Sequence, residues 1–246
     1  MAALLALLPI LVLLLCMIAL RWTASSSGMI GAATAIGIAI LEFGYGTAGI
    51  DLAGPLLEAV FMAAAILWIV FPALAIHEVQ TRSGASARIG GWLATISDKP
   101  AVLVLILAWF FALLLEGAAG FGTPVALIAP MLVTLGFSPQ RSLILALVGH
   151  AAGVSFGAVG IPMVPLLEAQ AVDPRKLSLT IMLLHAALGW ALVLVVFRMA
   201  TRERPARNWL LVPLAAFLFL LPALGLAWLV GPELPTLGGA LIGGVM

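Results

Sequence analysis

At 246 residues, with 64% hydrophobic and 9% charged residues and a mean hydropathy of +1.27, the chain lies far outside the composition of soluble globular domains. Eleven bases against ten acids leave a net charge of +1, which excludes a global basic field for nucleic acid. What remains is an all-α polytopic membrane protein whose first partner is the lipid bilayer.

The first twenty residues are apolar and uncharged, but they lack a basic start and a small-residue cleavage site, and so read as a retained first span. Cys16, the single cysteine, lies within it, so neither a disulfide framework nor a Cys/His metal cluster can be built and no cofactor is called for. Span 1 covers residues 3–20 and ends at Arg21 and Trp22, side chains suited to the interface. Span 2 covers 28–41 and span 3 covers 55–76, with Glu58 near its outer end. Residues 77–99 form a polar loop carrying Arg82, Arg88 and Lys99.

After the apolar run 101–137 comes an interrupted segment, 142–168, and a short loop with Asp173, Arg175 and Lys176. A further span at 177–196 leads to the cluster Arg198, Arg202, Arg204 and Arg207, and the last complete span is 210–230. Gly231-Pro-Glu-Leu-Pro235 is expected outside, followed by the start of another helix at 237–246. The positive-inside rule then gives a periplasmic N-terminus and places every base except Arg175 and Lys176 in the cytoplasm. The expectation is one membrane domain of about eight segments: scaffold-like spans in 1–100, the site in 101–172 and further spans in 173–246.

Between Lys99 and Arg141 the one formal charge is Glu116, inside the glycine-rich stretch Leu115-Glu-Gly-Ala-Ala-Gly-Phe-Gly-Thr-Pro-Val125. Residues 101–137 are too many for one span of about 20 residues, and each side of the glycine break is shorter than that. The economical arrangement is a re-entrant hairpin with its tip in the bilayer. Irregular backbone at that depth survives where protein or a water-filled cavity satisfies it, which marks a channel or transporter site.

Thr123-Pro124 carries a helix start signal, an oxygen-bearing N-cap before a first-turn proline, and Ile161-Pro162 repeats the proline at a second break, residues 158–162. Two half-helix N-termini converging there would bind a small anion, most simply a carboxylate. Glu116 closes the first half-helix, where burial and the dipole both favour the neutral acid, and is expected to carry the coupling proton. Gly149, Gly153 and Gly157 form a smooth strip for a neighbouring backbone. Beside it His150 could titrate, donate to a substrate carboxylate or bond a neighbouring helix. Ser155 could donate to substrate or to its own helix, and His185 reads as packing. Gly117-Ala-Ala-Gly120-Phe-Gly122 lacks the dinucleotide spacing, and no nucleophile and base are matched, so an enzyme is not expected.

The stretches Leu115-Glu-Gly-Ala-Ala-Gly-Phe-Gly-Thr-Pro-Val-Ala126 and Phe156-Gly-Ala-Val-Gly-Ile-Pro162 resemble the two signature segments of the bacterial L-lactate permease family. Leu67-Trp-Ile-Val70 and residues 231–235 are similar to its flanking segments. The resemblance implies the N-terminal half of a proton symporter for lactate or glycolate in the bacterial inner membrane, completed by a second half or a homo-oligomer. The chain also resembles in fold one repeat of elevator-type anion transporters. The expected substrate-binding set is Gly117, Gly120, Phe121, Gly122, Thr123 and Pro124, then His150, Ser155 and Gly157, then Gly160, Ile161 and Pro162. Where the family commonly reads Asn-Thr-Ala-Pro-Val-Ala-Phe-Gly, this chain has His150-Ala-Ala-Gly-Val-Ser-Phe-Gly157.

Overall fold

The computed structural model describes residues 2–45, 50–97, 99–169, 172–201 and 209–246, and among them every regular element is helical. The chain divides into two compact units, Met1–Leu67 and Trp68–Met246. In the first, α1 (Ala2–Ile18) packs on α2 (Ala24–Leu41), where a Cβ on Gly31 would lie 3.3 Å from Leu13 Cβ. α2 begins four residues before the expected start because Thr23 caps it, its hydroxyl accepting from the Ser26 N–H at 3.2 Å. The division between the units falls within α3 (Ile50–Arg82), a continuous helix of 33 residues.

The polar loop expected at 77–99 is instead largely helical. α3 runs on through it, supported by an exposed Arg82 Nε–Glu78 Oε1 pair at 2.6 Å, four residues apart. Gly84, at φ 71°, then turns the chain into α4 (Ala85–Ala94).

The second unit is built around one broken helix. α5 (Pro100–Val104) passes into a π-helical stretch, Leu105–Phe111, and on into α6 (Ala112–Ala118). Trp109, fully buried in the π stretch, donates its indole N–H to the Ala215 carbonyl at 3.2 Å and packs edge-on against Phe219. That fixes it to α12 (Leu211–Leu229), which also packs on α11 (Pro174–Thr201) and α13 (Pro235–Val245). α11 starts sharply because Asp173 Oδ1 accepts from the Lys176 and Arg175 N–H groups, and those bonds hold its carboxyl below the usual carboxylate range.

Beyond the first break lie α7 (Thr123–Thr134) and α8 (Pro139–His150). The chain then tightens into a 3-10 turn, Ala151–Phe156, and a four-residue turn, α9 (Gly157–Gly160). A second 3-10 turn, Ile161–Met163, leads to α10 (Val164–Ala169).

Five helical stretches among the described residues are long and apolar enough to cross a membrane: Ala24–Leu41, Ala101–Ala118, Pro139–Glu168, Pro174–Thr201 and Leu211–Leu229. The second of these, the arm before the first break, has 18 residues, within the expected bound of about 20. The other arm, α7, has 12 residues and is short. Of the four-arginine cluster, Arg198 is described, its guanidinium 5.8 Å from the Trp209 ring centre, whereas Arg202, Arg204 and Arg207 lie outside the described residues.

Candidate functional site

The two breaks share one backbone geometry. In the first, Gly120, Phe121 and Gly122 take φ of 54°, 47° and 84°; in the second, Ala158, Val159 and Gly160 take 44°, 58° and 85°. Each is a run of three left-handed residues followed directly by a residue and a proline that resume right-handed helix, Thr123-Pro124 and Ile161-Pro162. Left-handed backbone costs a non-glycine residue about 1–2 kcal/mol. Phe121, Ala158 and the β-branched Val159 therefore store strain that surrounding packing must hold.

The breaks touch. A Cβ on Gly120 would lie 3.1 Å from the Ala158 amide nitrogen, so the bare glycine admits the second turn against the first. Residues 231–237 press in beside them. A Cβ on Gly160 would lie 2.6 Å from the Pro232 carbonyl oxygen, and one on Gly117 2.4 Å from the Leu237 nitrogen. Thr236, fully buried, donates its hydroxyl to the Gly153 carbonyl at 2.7 Å. The stretch expected as an outside loop is thus largely packed, with Gly231, Pro232 and Pro235 buried and Glu233 exposed.

Three ionisable side chains gather at this junction. Glu116, 4% exposed, sits at the end of α6 with Oε1 2.1 Å from where a Cβ on Gly157 would be. His150, at the end of α8, places Nε2 4.0 Å from Glu116 Oε2 and bonds its Nδ1 to the Ala146 carbonyl at 2.7 Å. His185, from α11, holds Ser155 Oγ at 2.8 Å through Nε2 and lies 6.0 Å from the Phe156 ring centre. Among the described residues no group of three or more His, Cys, Asp or Glu is placed to hold a metal ion.

Thr123 is not the N-cap. Gly122 fills that position in left-handed conformation, Thr123 is the first helical residue and Pro124 the second. The Thr123 hydroxyl is buried, and no hydrogen-bond partner for it exists among the described residues. A buried hydroxyl left unpaired costs about 1–3 kcal/mol. Ser27, on α2, and Ser142, on the first turn of α8, share the condition.

A family model described as L-lactate permease matches residues 2–246. The chain belongs to the L-lactate permease family. The L-lactate permease of Streptococcus iniae is 33% identical over 242 residues, covering 97% of this chain and 51% of that protein. The glycolate permease of Escherichia coli strain K12 is 30% identical over 247 residues, covering 98% and 43%. A putative L-lactate permease of Haemophilus influenzae is 34% identical over 145 residues, covering 59% and 25%. The chain spans about half the length or less of these curated relatives, and no solved structure matches it. Its relatives are permeases, which makes it a multi-pass bacterial membrane protein of a transporter family and not an enzyme.

Within this chain of the permease family the expected site residues do not all fall in one role. Glu116, Gly120, His150 and Gly157 meet where the breaks touch. Gly117 faces Leu237 and Gly160 faces Pro232, so both serve packing. Phe121 and Pro162 are exposed, Pro124 is buried and Ile161 half-buried. Ser155 bonds neither its own helix nor open space but His185, whose role therefore exceeds packing. The strip Gly149, Gly153 and Gly157 is real but meets three different neighbours, namely the Ala108 carbonyl, Thr236 and Glu116, because α8 ends at His150 and the tighter turn rotates the residues after it. The second half-helix N-terminus is also weaker than expected: a three-residue 3-10 turn and the six residues of α10 stand in place of a long helix.

Proposed function

We propose that this chain forms one half of a proton symporter that imports small 2-hydroxymonocarboxylates such as lactate or glycolate across the bacterial inner membrane. The substrate carboxylate sits at the first turn of α7, against the junction of the breaks, and Glu116 carries the coupling proton. The observation that carries this is the buried hydroxyl of Thr123, unpartnered among the described residues, on that first turn, at the positive dipole end of α7. Membership of the permease family and the names of the relatives, lactate and glycolate permeases, supply the substrate class.

Thr123→Val tests it. The isosteric change removes an oxygen that makes no internal bond, so thermal stability should hold or rise. A hydrogen bond to a charged group is worth about 1.5–3 kcal/mol, and lactate affinity in the full-length or reunited transporter should fall roughly 10–150-fold. Unchanged affinity in the Val variant would remove Thr123 from the site.

Residues 101–137 form a re-entrant hairpin in this proposal, its tip near mid-membrane. Phe121 is the probe position, being exposed and already bearing a side chain at φ 47°. A cysteine there should react with small permeant reagents and resist large impermeant ones from both sides. Free reaction with an impermeant reagent, with both arms behaving as complete crossings, would exclude the hairpin.

A further inference from the structure

We infer that Glu116 and His150 hold one proton between them, making His150 the proton partner of the coupling acid and not a ligand for the substrate carboxylate. This rests on the symport proposal above for its purpose but not for its geometry. The Ala146 carbonyl can accept and cannot donate, so the 2.7 Å contact fixes the hydrogen of His150 on Nδ1. In the neutral ring the lone pair is then on Nε2, which faces Glu116 Oε2 at 4.0 Å.

Three charge states are possible for the facing pair. With no proton, a carboxylate and a lone pair oppose each other. With two, an imidazolium is buried without a counter-charge. With one, the pair is either a carboxylic acid beside a neutral acceptor or a matched ion pair. Only 12% of the His150 side chain and 5% of the Glu116 side chain are exposed, and burial on that scale penalises both unmatched states.

The surroundings leave the pair to itself. Of the groups on neighbouring elements, His185 of α11 is engaged by Ser155, Arg141 at the start of α8 by the Met199 carbonyl, and Glu168 and Glu233 are exposed. No described group donates a hydrogen bond to the Glu116 carboxyl. Gly157 completes the arrangement, since any side chain there would occupy the place of Glu116 Oε1, although its own φ of −64° and ψ of 156° would accept alanine.

Two substitutions and one readout test the pair. In the full chain held in lipid nanodiscs, without substrate or gradient, the Glu116 carboxyl carbon and the His150 ring nitrogens are followed by NMR as pH is varied. In wild type both signals should change at the same two midpoints, one on each side of a plateau where the pair holds a single proton, with Nδ1 protonated throughout. In Glu116→Gln the alkaline step of the His150 signal should vanish. Gly157→Ala retains both titrating groups but displaces the flexible end of Glu116, and should draw the two midpoints together by about one pH unit or more. Midpoints in wild type that the two groups do not share, or a His150 curve identical in wild type and Glu116→Gln, would overturn the assignment, as would a spacing unmoved in Gly157→Ala. Coupled titration in a protein that transports nothing would sink the symport proposal alone; uncoupled titration in an active symporter would sink the pair alone.

Discussion

Glu116→Gln should leave substrate binding and substrate exchange largely intact in the full-length or reunited transporter while abolishing accumulation driven by a pH gradient. Glutamine matches the protonated acid in size and neutrality but cannot release a proton, so loading proceeds and coupling stops. A purely structural carboxylate would instead accept several backbone N–H bonds, and an amide in its place would misfold the break. Among the described residues Glu116 accepts none, and Gly157 leaves its carboxyl room. Expression level and thermal unfolding should therefore match wild type. A folded variant that still concentrates substrate at the wild-type rate, with the same pH dependence, would show that Glu116 is not the proton carrier.

Gly149→Ala should be among the most destabilising single-methyl additions in the chain. Its Cβ would be placed 1.5 Å from the Ala108 carbonyl oxygen, and both partners are backbone, so α8 must move off the π-helical stretch. Overpacking of this kind costs about 1–3 kcal/mol and more when the backbone cannot yield. Gly37, in the middle of α2, has nothing within 4 Å of an added Cβ, and Gly37→Ala should be neutral or stabilising by up to about 1 kcal/mol. Thermal unfolding in detergent distinguishes them. Equal midpoints for the two variants would mean that α8 does not lie against Ala108 in the folded protein.

The elements of this fold were legible where local chemistry decides them. Runs of apolar residues marked the helices, and the isolation of Glu116 among glycines marked the first break. Residues 173–176, expected as a short loop, are instead the cap and first turn of α11. Thr123 was misplaced by one position because two signals compete there: threonine favours the cap, but Gly122 takes the left-handed conformation at no steric cost and claims it.

The second break was expected at 158–162, but the left-handed backbone of Ala158 and Val159 within it has no local signal, since neither residue type favours that conformation. The Ser155–His185 bond and the contact of Thr236 with Gly153 are tertiary, joining positions 30 and 83 residues apart, and like the burial of Gly231, Pro232 and Pro235 they have no local signature. The polar residues 77–99 misled for the opposite reason, because charged side chains four apart stabilise a helix as readily as they solvate a loop.

Uptake of labelled lactate into membrane vesicles, with and without an imposed proton gradient, tests the central claim most directly. The chain should be assayed both alone and joined to a second transporter half, because a site between two repeats needs the second to complete it and to move against. The reunited protein should concentrate lactate saturably when the gradient is present and merely equilibrate it when the gradient is collapsed, while residues 1–246 alone should do neither. Robust saturable uptake by residues 1–246 as a monomer, or accumulation by the reunited protein that is indifferent to the proton gradient, would contradict the account.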